Sequence, residues 1–192
     1  MLEIFDLYLK TPLVFFHFVL AAFALVTVVR LDFIILGTYT LPVSPDFLSR
    51  IKRAQGVMIL YLLGLWVTGL LLVVYGAFFQ PEFLFNQKLW CKLAVVVVLT
   101  LNGGLVHRLS KHVEVNKSFS EFSAFMGTQL CAVGAISSVS WLWACFLGVA
   151  RPWNHVLPWQ MIGHFYAATL GLAILVAVTW HHFHLRRCVL NQ

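Results

Sequence analysis

Five apolar runs, each close to the length that crosses a bilayer, follow one another along this chain and leave few folds open to it. They cover approximately residues 12–30, 54–79, 88–108, 122–149 and 158–182. A hydrocarbon core roughly 30 Å thick takes about 20 helical residues, and inside it every backbone N–H and C=O must be satisfied internally. Barrel strands would instead read as short segments of alternating polarity. The expected fold is therefore all-α: a polytopic membrane helical bundle of about five transmembrane helices, a single integral membrane domain over residues 1–192. With 61% hydrophobic and 10% charged residues, the chain carries more apolar surface than a soluble domain of its size can bury. The formal charge of +6 is spread over helix ends rather than gathered on one face. That argues against a nucleic-acid partner and makes the lipid bilayer the first one.

Met1–Lys10 reads as a short interfacial lead-in. It has neither the basic start nor the small-residue cleavage site of a signal peptide, so the first run is expected to remain as a span. Phe33–Leu41 is apolar as well, but Asp32 and the Pro42/Pro45 pair argue against another full crossing. A re-entrant or interface-lying piece is expected there. The basic group Arg50, Lys52 and Arg53 is expected to precede the second span, and Arg186 and Arg187 to stop the fifth. Five spans put the termini on opposite sides. Side A, the N-terminal one, holds Lys10, Lys88, Lys92 and Arg151, and side B holds the other nine basic residues. The positive-inside rule places side B in the cytoplasm, giving an N-out, C-in topology.

Eight histidines beside seven acidic residues is an unusual balance for a membrane chain. Pro158–His184 concentrates it, with His164 near its start and His181, His182 and His184 at its far end. From His164 to His182 is 18 residues, five whole turns and a rise of about 27 Å, so these two share a face. By depth, His17 matches His164 on side A, and His107 matches His181 and His182 on side B. Neutral imidazoles on facing helices can ligate a haem iron from both sides, and axial identity sets its potential. His17 with His164, and His107 with His181 or His182, are thus candidate axial pairs for one or two haem b groups. Interhelical hydrogen bonding and a proton or quinone role are the other readings of the same imidazoles. Gly103, with Gly104 and the Gly163–Ala167–Gly171 series, offers room for a macrocycle, and Arg30 and Arg108 are candidates to pair with its propionates. Asn102, beside those two glycines, is expected either to bond across the bundle or to touch a cofactor.

Cys91, Cys131, Cys145 and Cys188 form no ligand spacing and read as small buried hydrophobes. The His181–His182–His184 group raises copper passage as an alternative, although Met58, Met126 and Met161 are isolated. Gly127–Cys131–Gly134–Ser138 in the fourth run reads as a ridge for close helix approach.

Two stretches carry a resemblance: Lys10–Arg30, KTPLVFFHFVLAAFALVTVVR, and Lys88–Arg108, KLWCKLAVVVVLTLNGGLVHR. With the second span they cover about a third of the chain. The chain resembles the small bacterial membrane proteins that include the HemJ-type protoporphyrinogen oxidases and the CopD-like membrane domains. That resemblance implies the bacterial inner membrane and a haem b held by one histidine in the first span and one in the third, by position His17 and His107. Its span count and the separated histidines of the last helix are also similar to five-span, di-haem, quinone-linked cytochrome b subunits such as that of nitrate reductase. The function expected is a b-type haem-binding membrane redox protein that transfers electrons, linked to quinone and to other membrane or redox subunits or a second copy of itself. A HemJ-like enzyme with one haem and a haem-free structural or assembly subunit are the alternatives, and the short loops leave no room for a soluble catalytic domain.

Overall fold

The computed structural model describes residues 6–113 and 115–190, apart from the side chains of 6, 81 and 186–190. The first residues of the expected lead-in, and the side chains of Arg186 and Arg187, lie outside the described residues. The described backbone is mostly helical, with no strand beyond one isolated bridge, Pro42 to Ser118. A π-helical turn, Asp6–Lys10, leads into α1, Thr11–Gly37, whose Pro12 sits in the first turn where no N–H is needed. The other helices are α2, Pro45–Phe79; α3, Gln87–Ser110; α4, Ala124–Val149; and α5, Trp159–Leu190. All five are long and apolar enough to cross a membrane.

Three boundaries differ from expectation, one of them at the end of α5, which runs on through Arg186 and Arg187 to Leu190. Phe33–Gly37 is no re-entrant piece but the end of α1, which runs straight through Asp32. The acid is tolerated inside the helix because it faces α4, where the Ser138 hydroxyl donates to its Oδ2 at 2.5 Å. In turn, α2 begins at Pro45 rather than near Ala54. Ser44 caps it by accepting the Phe47 N–H, Pro45 occupies the first position, and Asp46 lies in the positive first turn. Arg50, Lys52 and Arg53 therefore ride, exposed, on the first turns of α2 instead of preceding it.

The centre of the bundle is α4. It packs on α1, α3 and α5, while α2 packs on α1 and touches α3 little. Ala24, Val28, Leu65, Leu99 and Trp141 form the central core. Toward side A, Val95, Leu147 and Ile162 join α3, α4 and α5. At side B the loops close the bundle: Tyr39, Val43, Ile51, Phe119 and Phe122 form one cluster. Val43 there exchanges backbone bonds with Lys117 at 3.1 Å and Asn116 at 2.9 Å. The outward faces carry large apolar side chains such as Phe16, Leu60, Phe78 and Leu172, which hydrocarbon covers at no cost.

One close approach holds side B together. The His181 ring of α5 is fully buried directly over Gly127 of α4, where a methyl would overlap it. Gly134, two turns along, has open space around its Cα. Gly127→Ala should therefore lower stability by about 1–3 kcal/mol, seen as an earlier thermal transition in detergent, while Gly134→Ala leaves the transition in place.

Candidate functional site

The histidines expected to act in pairs each have surroundings of their own. His17, on α1, is wedged against Thr68 of α2 and Lys92 of α3. The Thr68 hydroxyl donates to the Gly64 carbonyl at 2.7 Å, so its oxygen accepts from His17 Nδ1–H, also at 2.7 Å. That assigns the lone pair to Nε2, which faces the Lys92 ammonium at 3.5 Å. Both ring nitrogens of His17 thus have partners within the bundle. His164 is exposed on α5, a helix that does not pack substantially on α1.

At side B, His181 Nδ1 is hydrogen-bonded to the Tyr39 hydroxyl, and its Nε2 is buried beside the Ala124 backbone without a well-formed bond. His182 is exposed and approaches Thr128 Oγ1 at 3.4 Å, and His184 Nδ1 meets the Trp180 carbonyl at 3.0 Å. Among the described residues no group of three or more His, Cys, Asp or Glu side chains is placed to hold a metal ion. His107 lies on α3, with its imidazole in no hydrogen bond among the described residues.

What the fold builds instead is a chamber of about 590 Å³ in the side-B half of the membrane. Four helices form most of its wall, and Val176, Ala177 and Trp180 of α5 complete it. Tyr39, Val113 and Phe119 floor it on side B. Most of the surface is aliphatic, from residues such as Val28, Ile51, Leu62 and Leu99, with Trp141 and Trp180 as its large aromatic walls. Between α2 and α3 the wall thins. Trp66 Nε1–H donates to Thr100 Oγ1 at 3.0 Å above the gap, and the Ser110 hydroxyl donates to Gln55 Oε1 at 3.3 Å below it. Of the chamber-lining residues between those two bonds, Ile59, Gly103 and His107 are exposed, while Met58, Leu62 and Val106 are half-buried and Asn102 is buried. The thin part of the wall, a window between the two helices, therefore borders lipid at those three exposed positions.

A small polar set interrupts the apolar lining: Asp32, Gln55, Asn102, His107, Ser110, Ser137 and Ser138. Asn102 is 4% exposed. Its Nδ2 donates to the Val133 carbonyl at 3.1 Å, while its Oδ1 is buried with no partner among the described residues. Buried polar atoms are seldom left so, and an orphaned acceptor at a chamber wall marks where a ligand's donor fits.

Of the residues expected to form a site, Asn102, Gly103 and His107 meet at this chamber. His17, His164, Arg30, Arg108, His181 and His182 are not part of its lining, and Arg30 borders a shallow groove on the outer face of α1. The Gly127–Cys131–Gly134–Ser138 ridge serves both ends: Gly127 admits His181, and all four residues line the chamber. Sequence reasoning missed Asp32, Gln55 and Ser110. A lone acid between apolar runs was the available signal for Asp32; it was read as the end of a span rather than as a polar group within one.

No known family, characterised protein or solved structure matches the chain. The fold and the site define its class as a five-helix integral membrane bundle enclosing a lipid-accessible chamber.

The Tyr39–His181 bond ties the first loop to the last helix beneath that chamber. Tyr39→Phe should cost about 1–3 kcal/mol, because it leaves a buried imidazole nitrogen unsatisfied. The measurement is the thermal transition of the purified variant, with Tyr61→Phe as the control.

Proposed function

We propose that this chain is a redox protein of the bacterial inner membrane that takes a lipid-soluble quinone into the side-B chamber and works in electron transfer. The observation that carries the reading is the chamber itself: a ring-sized apolar space, open to lipid through the α2–α3 window, with an unpaired polar atom in its wall. Binding sites for small molecules are commonly apolar clefts of about 300–1,000 Å³ with a few placed polar groups. Lipid delivers a quinone laterally, which suits a window between helices better than a mouth in a loop.

One observation favours a second occupant, haem b. His107 lies on the chamber wall with its imidazole unengaged, and the Gln55–Ser110 bond sets Met58 level with it across the gap between the antiparallel α2 and α3. A His/Met axial set is chemically competent for haem iron. The bis-histidine pairs do not fit as well, since His17 has both nitrogens engaged and His181 is locked under Tyr39. Among the described residues no Lys or Arg lines the chamber to pair with propionates, which is why quinone is the first reading.

Charge distribution supports an N-out, C-in orientation, with side B and the chamber in the cytoplasmic half. A reporter fused after Gln192 that is active only in the cytoplasm should be active, and one active only outside should be silent.

The test of the chamber uses its own tryptophans. A short-chain benzoquinone should quench part of the fluorescence of the purified chain saturably, through Trp141 and Trp180. Gly134→Phe, which fills the space, should remove that saturable part without shifting the thermal transition. Quenching that never saturates would overturn the quinone reading. A reduced-minus-oxidised haem spectrum that disappears with His107→Ala would move the chamber to haem.

A further inference from the structure

We infer that the chamber is built for the hydroquinone rather than the quinone form, with Asn102 Oδ1 and the Asp32 carboxyl each accepting one ring hydroxyl. The inference rests on the quinone reading of the chamber and concerns only which form is held. Its starting point is which hydrogen-bonding atoms the deep wall has left uncommitted. The Asn102 amide donates to Val133 O at 3.1 Å, so what remains of that side chain is an acceptor. The Ser138 hydrogen is committed to Asp32 Oδ2 at 2.5 Å and shared with the Gly134 carbonyl at 3.0 Å. What remains at Asp32 is its other oxygen, an acceptor when the group is ionised and a hydroxyl that can donate as well when it is protonated.

The spacing fits one ring. On α4, Val133 marks the level of Asn102 and Ser138 that of Asp32, and five residues of helix rise about 7.5 Å. A para-hydroquinone has a hydroxyl at each end of a six-membered ring and can address both levels at once. A quinone has only acceptors, and would set one carbonyl oxygen against Asn102 Oδ1 with no proton between. Of the donors available to a quinone, the Gln55 amide and His107 lie lower, toward side B, and the Ser137 hydroxyl neighbours Ser138 at the Asp32 end, so the Asn102 end of the ring still calls for a hydroxyl that donates.

The experiment compares three ligands of nearly one shape: a short-chain hydroquinone kept reduced under anaerobic conditions, its quinone, and its dimethyl ether, which has no hydroxyl to donate. Binding to the full chain in detergent is followed by titration calorimetry. The hydroquinone is expected to bind about tenfold more tightly than the ether or the quinone, in keeping with one to two net hydrogen bonds. Asn102→Leu should weaken hydroquinone about fivefold and leave the ether unchanged. Asp32→Asn, which offers an N–H in place of an acceptor or keeps only one oxygen, should narrow the preference over quinone. Equal affinities for all three ligands would overturn this inference while leaving the chamber reading intact. Binding of none of them, in material with an unchanged thermal transition, would overturn the chamber reading itself.

Discussion

Hydrocarbon offers no hydrogen-bond partner, and the polar side chains of this bundle are arranged by that fact. Each helix pays for its own backbone, but a side-chain hydroxyl, amide or imidazole in the membrane must find a neighbour. Here those neighbours are on other helices. Ser138 meets Asp32 between α4 and α1, Ser140 meets Tyr166 between α4 and α5 at 2.8 Å, and Trp143 meets Thr169 across the same pair at 2.8 Å. Trp66 meets Thr100 between α2 and α3, and His17 joins Thr68 of α2 to Lys92 of α3. Because apolar faces discriminate weakly between protein and lipid, such bonds select which helix faces which.

Against that background the chamber is the exception. Among the described residues the buried side-chain polar atoms have partners except two, His181 Nε2 beneath the chamber and Asn102 Oδ1 at the wall of a space large enough for a ring. The same small residues that let α4 sit at the centre of the bundle also hollow it: Gly127 is filled by His181, whereas Gly134 meets nothing. Close approach at one end and vacancy at the other come from one ridge. A lateral window follows from α2 packing on α1 and leaving α3 almost alone.

How much of this was legible in the residues can be judged from particular ones. The number of helices, their membrane-spanning character and the approximate ends of α3 and α4 followed from apolar length, while the caps that fix their starts, Asn86 and Ser123, are read from the structure. Asp32 misled, because a charge ends a span only when nothing across the bundle accepts it, and Ser138 is remote in sequence. The surroundings of the histidines were not legible for a related reason. Helical periodicity places His164 and His182 on one face, but it does not say whether that face meets α1, α3 or lipid. Asn102 was singled out correctly as a polar group beside glycines, while the choice between a bond across the bundle and a cofactor contact was open. In the structure its amide nitrogen makes the bond across the bundle, and its oxygen has no partner.

By itself, then, the sequence determined an all-helical bundle of five spans, because backbone satisfaction in hydrocarbon is a local matter that hydrophobic length decides. Tertiary structure alone decided which polar residues meet, that His17 turns to Thr68 and Lys92, that His181 lies beneath Tyr39, and that Asn102, Asp32 and His107 border one chamber. Those outcomes depend on which helices become neighbours and at what register, and the uniform apolar faces of the spans carry almost no record of either.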